Sequence, residues 1–261
     1  MPRLAANLTL LYTEWPFLDR FEAAAEDGFT AVECQFPYDH PAGQVAERLR
    51  RFGLEQVLIN APAGDWARGE RGLAALPGAQ SRFREGVLRA LDCAAALACP
   101  RIHVLAGLAQ GDEAWRTYRD NLEWAAHTAQ AHPVSLLIEP LNGRDTPGYL
   151  LQRQADAHAL VQAIGAPNLQ VQLDLYHCQI MEGDVTRHLR DGLASGRVGH
   201  LQIAGVPHRH EPAEGELNLP YLFEQVDALG WAGTIGCEYR PRAGTRAGLA
   251  GLRPWLASPR G

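Results

Sequence analysis

Four side chains in the second half of the chain could do chemistry together: Glu139 in SLLIEPLN, Asp174 in LQVQLDLYH, Gln202 in VGHLQIAG and Glu238 in GTIGCEY. Each closes a short apolar run of the kind that forms a buried strand, where an unpaired charge carries a large desolvation cost. If the four runs are neighbouring strands, their ends bring three carboxylates and one amide oxygen to a single point. Carboxylates so placed repel and raise one another's pKa unless a cation sits among them. An all-oxygen set suits Mg²⁺ or Mn²⁺ better than Zn²⁺, which favours nitrogen and sulfur, and an octahedral ion would keep two positions for substrate. Glu139, Asp174, Gln202 and Glu238 are therefore the expected metal ligands.

Further polar residues flank these ends. His177, three residues after Asp174, can polarise a substrate or orient a ligand. Arg209, in GVPHRHEPAEGELN, can fork onto a substrate carboxylate. The stretch 60–78, NAPAGDWARGERGLAALPG, is rich in Gly, Ala and Pro and long enough for a lid, and its Glu70 is a third expected substrate contact beside Trp66 and Arg71. Glu33, near the end of AVECQF, reads as part of a supporting hydrogen-bond network, and Cys178 and Cys237 read as packing residues.

Composition removes several alternatives. All 24 basic residues are arginine, so Schiff-base chemistry on a lysine amine is excluded for this chain. A net charge of −6 argues against a nucleic-acid partner, whose phosphates draw affinity from clustered cations. Five scattered cysteines without a C-x-x-C give neither a disulfide framework nor a thiolate zinc site and point to a reducing compartment. No apolar run approaches the roughly 20 residues of a membrane span, and MPRLAANLTLLYTEW does not read as a leader, so a cytoplasmic protein without a membrane partner is expected.

The elements that must position the four ends follow from the same periodicities. Apolar runs begin near residues 3, 31, 54, 101, 134, 169, 198 and 233, separated by helical spacings. The clearest helix spans 218–230: Asn218 caps, Pro220 suits the first turn, Leu222, Val226 and Leu229 share a face, and Gly230 terminates. Eight strand–helix units in 261 residues predict one α/β domain over residues 1–261, a single (β/α)₈ TIM barrel whose sites lie at the carboxyl ends of its strands. The rival open sheet lacks its G-x-G-x-x-G after the first run. Strand alternation points His200 and Gln202, Gln172 and Asp174, and Thr234, Gly236 and Glu238 inward, and Leu173, Leu201, Ile203, Ile235 and Cys237 outward to the helices.

The motifs FPYDHP, NAPAGDWARGERGLAALPG, LLIEPLN, VQLDLYH, GHLQIAG, PHRHEPAEGELN and GCEYRP, in this order, resemble the hydroxypyruvate isomerase family of xylose-isomerase-like barrels. The resemblance runs from ANLTLL to the Arg-rich end. It implies a metal held by Glu139, Asp174, Gln202 and Glu238, with Glu139 and Glu238 also the catalytic acid/base pair. It further implies interconversion of hydroxypyruvate and tartronate semialdehyde through an enediolate, with a small 2-oxo acid as the only expected partner and a homo-oligomer left open. AGVPHRHEP is closer to the related 2-oxo-tetronate isomerases, whereas DWARGERGLAALPG and IEPLNGRDTPG are closer to the hydroxypyruvate group. Sugar epimerases of this type usually place a His where Gln202 stands. Apurinic-site endonucleases share the barrel but need more His ligands and a basic face.

Overall fold

The eight apolar runs become eight parallel strands, β1 Arg3–Asn7, β2 Ala31–Cys34, β3 Glu55–Asn60, β4 Arg101–His103, β5 Ser135–Ile138, β6 Leu169–Asp174, β7 Val198–Ile203 and β8 Thr234–Cys237. They pair in chain order and close, β8 lying against β1. The computed structural model describes residues 2–256; Met1 and 257–261, to which the one-domain expectation also extends, lie outside the described residues. Helices α1 Arg20–Glu26, α2 Ala42–Phe52, α3 Gln80–Leu97, α4 Gly111–Ala129 and α5 Gln154–Ile164 each return the chain to the next strand. After β6 the return takes two helices, α6 Leu175–Met181 and α7 Val185–Ala194, before α8 Leu219–Ala228 leads to β8 and α9 Thr245–Gly248 follows it. Among the described residues no helix is long and apolar enough to cross a membrane.

Local sequence accounts for the helix limits. The Asn218 side chain accepts from the Tyr221 N–H at 3.3 Å, Pro220 lies in the first turn of α8, and Gly230 adopts φ +69° beyond its end. Leu222 and Val226 are buried as the stripe predicts, but Leu229, 39% exposed, falls at the cap where the face has already turned from the core. In α3 the buried Phe83, Val87, Ala90, Leu91, Ala94 and Leu97 follow the helical period.

The strand alternation separates two environments. Leu173, Leu201, Ile203, Ile235 and Cys237 join one large apolar cluster between barrel and helices. Ala5, Ala31 and Val57 form a separate small cluster. Ala5 and Ala31 share the alternation of Asn7 and Glu33, which places them on the inner side. Register slips between Val32 and Glu33 in the β2–β3 pair and between Val171 and Gln172 in the β6–β7 pair. Such irregularities re-aim side chains, and these two lie beside the polar groups that line the barrel's carboxyl end.

Candidate active site

A cavity of about 610 Å³ opens at the carboxyl face, walled by residues at or beyond the ends of all eight strands, among them Leu10, Gln35, Asn60, His103, Glu139, His177, Arg209 and Glu238. Asp174 and Gln202 are buried beside it without forming its wall. Of the four expected ligands, Glu139 and Asp174 converge with His177 so that one atom of each lies within 4.8 Å of the others. Gln202 pairs with Asp174 in the β6–β7 ladder. Glu238 is held on the other side of the site: its Oε1 accepts from Gln35 Nε2 at 2.8 Å and Asn7 Nδ2 at 3.1 Å, and its Oε2 takes the Arg209 guanidinium.

Burial and mutual repulsion dominate the electrostatics. Glu139 Oε2 lies 3.5 Å from His103 Nδ1, and its Oε1 meets no donor. Burial, then the charges of Glu238 and Asp174, push its pKa well above the carboxylate range, with Arg209 opposing. Asp174 is pushed to about 7, burial again leading against the pull of Arg209. Its Oδ1 caps α6 by accepting from the Tyr176 N–H at 2.9 Å, while Oδ2 has no hydrogen bond. Two buried carboxylate oxygens without donors, in a set rich in oxygen, are what a divalent cation needs. The residues fit such an ion.

Arg209 supplies part of the missing positive charge. Its Nη2 lies 3.9 Å from Asp174 Oδ2 as well as against Glu238, and its Nη1 is 4.0 Å from Asp145. Burial alone would lower its pKa, but the surrounding carboxylates, Glu238 foremost, raise it. Its φ of +56° is strained for a residue with a Cβ, and hydrogen bonds to Gly205 and Arg240 at 2.8 Å hold it there. The sequence placed Arg209 at a substrate carboxylate; the structure places it among the protein's own.

His177 is set up as a donor. The Asn142 backbone N–H, at 3.1 Å, can only donate, so Nδ1 must accept and the ring hydrogen sits on Nε2. The Asn142 side-chain amide also reaches Nδ1 at 2.7 Å, its orientation fixed by the Asp145 N–H to Oδ1 bond of 2.8 Å. Nε2–H therefore faces Asp174 Oδ2 at 3.6 Å, and burial drives the ring pKa well below 6.5. His177 stands near the carboxylates as a neutral hydrogen-bond donor, not as a lone pair for a metal.

Glu70 is not brought to the cavity. Its carboxylate is forked by Arg82 at 2.8 and 2.5 Å and accepts from the Asp65 N–H, and Arg82 above all lowers its pKa to about 2. The loop's contribution to the wall is instead Trp66, half exposed, with Arg71 3.9 Å above its ring and Phe36 beside it. The expected packing role of the cysteines agrees with five free, buried thiols. Asn7, Gln35, Asn60 and His103 went unnoticed in the sequence. Each stands at or just past the end of one of the first four strands, so the strand-end rule applied to the last four would have found them. Asn142 lay in a noted motif, but its partner is 35 residues away.

The chain belongs to the xylose isomerase-like TIM barrel family, whose model matches residues 21–255. Its curated relatives include proteins named 2-oxo-tetronate isomerase and hydroxypyruvate isomerase. It is 57% identical to the 2-oxo-tetronate isomerase of Cupriavidus necator over 98% of this chain and 99% of that one. It is 42% identical to the hydroxypyruvate isomerase of Escherichia coli over 98% and 100%. A crystal structure of a Brucella melitensis protein described as AP endonuclease, family 2, superposes with a TM-score of 0.95 at 48% identity, covering 98% of this chain and 100% of that one.

Proposed function

We propose that the chain is a metal-dependent, cytoplasmic isomerase of a small 2-oxo sugar acid, acting as one barrel domain, with 2-oxo-tetronate as its substrate. What carries the substrate reading is the 57% identity to a 2-oxo-tetronate isomerase along both full lengths, against 42% to a hydroxypyruvate isomerase. The reaction moves a ketone to the neighbouring carbon: one proton leaves, an enediolate forms, and a proton returns to the adjacent carbon.

Glu139 and Glu238 both line the cavity, and they share removal and return of that proton. Burial and the charges of Glu238 and Asp174 push the Glu139 carboxyl above the carboxylate range, the direction in which a proton carrier is tuned. His177 Nε2–H donates to the developing oxyanion without ever becoming an imidazolium, because its Nδ1 is committed to Asn142. Arg209, already in the site, turns its guanidinium to the substrate carboxylate. Mg²⁺ or Mn²⁺ held by Glu139, Asp174, Gln202 and Glu238 would supply Lewis-acid stabilisation of the charge that grows on the substrate oxygens.

The test is incubation of metal-loaded protein with 2-oxo-tetronate and with hydroxypyruvate in D₂O, followed by proton NMR. The expected outcome is faster conversion of the four-carbon acid with deuterium at the exchanging carbon. Preference for hydroxypyruvate would reassign the substrate, and conversion of neither would sink the isomerase reading. The description of the Brucella protein favours a second reading, an apurinic-site endonuclease. That reading requires tight, salt-sensitive binding to duplex DNA, which the acidic isomerase is expected to lack.

A further inference from the structure

Glu33 is completely buried at the end of β2, yet it touches neither the cavity nor Arg209. Its hydrogen bonds come from two amides and an imidazole: Oε1 accepts from Asn7 Nδ2 at 2.9 Å and Gln202 Nε2 at 2.7 Å, and Oε2 meets His200 Nε2 at 2.7 Å. A buried carboxylate held by two amides and an imidazole is often no better for stability than a well-packed apolar side chain of the same size. The fold nevertheless makes room for it. The register slip of β2 falls at Glu33, and Gly236 on β8 stands so close to the carboxylate that any Cβ there would strike it.

The contacts share one consequence. The two ends of a glutamine amide have nearly the same shape, and only hydrogen bonding decides which faces where. A carboxylate accepts and never donates, so Gln202 must turn Nε2 toward Glu33 and Oε1 away from it. Gln172 Nε2, donating to Gln202 Oε1 at 2.6 Å, enforces the same orientation. Asn7 extends the effect. Its Oδ1 is held by the Thr9 N–H at 3.1 Å, so its Nδ2 points at Glu33 and also engages Glu238 Oε1, which Gln35 shares, while Oε2 takes Arg209.

We propose that Glu33 is a positioning residue of the cation site: it dictates which end of the Gln202 amide is presented and, through Asn7, helps to hold Glu238 in place. The proposal rests on reading Gln202 and Glu238 as ligands. Glu33 acts as an acceptor that sorts amide orientations, and its charge is not what matters to the ion.

Mn²⁺ binding to metal-stripped protein, measured by calorimetry alongside thermal unfolding, tests this. Glu33→Met removes the acceptor and frees the Gln202 amide to present its NH₂. Affinity should fall about tenfold or more, the range for partners that orient ligands. Glu33→Gln keeps one acceptor oxygen for Asn7 and Gln202, while its amide NH₂ can face His200 as the other tautomer, so affinity should stay within about threefold. Equal losses in both variants would overturn the proposal in favour of a charge effect. So would an unchanged Glu33→Met beside a weakened Gln202→Leu. No binding by the wild type, or equal binding by Gln202→Leu and wild type, would instead sink the ligand reading itself. Should Glu33→Met fail to fold, wild-type protein with ¹⁵N,¹³C-labelled glutamine keeps the test open. Mg²⁺ should shift the Gln202 side-chain carbonyl carbon while its NH₂ protons stay protected from exchange; exposed or metal-shifted NH₂ protons would overturn the role of Glu33.

Discussion

The two halves of the site are built on opposite principles. Around Glu238 the protein is generous with donors: Asn7, Gln35 and Arg209 saturate the carboxylate, and Glu33 fixes the amides behind it. Around Glu139 and Asp174 it withholds them, leaving one oxygen of each buried without a hydrogen bond and both groups raised in pKa. A saturated carboxylate is fixed in place, and a starved one is open to a cation or a proton. The difference is between a carboxylate already fixed by the protein's own donors and two that keep an oxygen without one.

Glu139→Gln and Glu238→Gln should each cut turnover by about 10²–10⁴-fold, the range for loss of a proton-transfer group. Their stabilities should diverge. Glutamine at 139 changes unfolding free energy by less than about 1 kcal/mol, since Oε1 has no donor to lose and a glutamine oxygen can still accept in the place of Oε2. At 238 its NH₂ must face either Arg209 or the amides of Asn7 and Gln35, costing about 1–3 kcal/mol. Kinetics and denaturant unfolding of the two variants check this; equal destabilisation would erase the contrast.

Asn142→Ala should lower kcat about tenfold with little change in KM, because His177 loses the N–H group that shares in holding its Nδ1 unprotonated. Because burial and the Asn142 backbone N–H remain, the pH profile should gain no limb near 6.5, and one appearing there would show that the side-chain amide is what keeps the ring neutral.

Chelated protein should reveal the starved half through pH. Asp174 titrates at 3.8 unfolded and about 7 folded, so the folded state keeps a proton that the unfolded chain releases between those values. The stability this confers is full below about pH 4 and lost as pH rises through 7. His103, held to about 3 by burial, acts in the opposite sense, its contribution disappearing as pH falls from 6.5 toward 3. Asp174→Asn keeps the histidine effect and should lose the carboxylate one. Melting temperatures of the two proteins from pH 4 to 8 isolate it, and parallel curves would refute the raised pKa.

The smallest effect belongs to Glu70, whose Arg82 fork is solvent-exposed. Glu70→Gln should alter kcat and KM by no more than about twofold and stability by under about 1 kcal/mol. A tenfold rise in KM alone would restore it as a substrate contact.

The barrel was legible because each strand and helix writes its own period and punctuation, as the Asn218 cap and Gly230 stop of α8 do. Glu139, Asp174, Gln202 and Glu238 were legible because strand ends in a barrel share one face. What surrounds them was not. Whether Arg209 meets a substrate or Glu238, and whether Glu70 faces the cavity or Arg82, depends on side-chain directions set by contacts far apart in the chain. The tautomer of His177 hangs on a backbone N–H 35 residues earlier, for which local pattern carries no trace.

Gly236 carries a consequence of another kind. A side chain at that position would meet the Glu33 carboxylate and force it to shift, so the two residues depend on each other. A lineage that traded Gly236 for alanine would have to surrender or move Glu33 in the same step, and with it the orientation of Gln202. The bare inner wall at β8 is thereby part of what holds the Gln202 amide in its orientation.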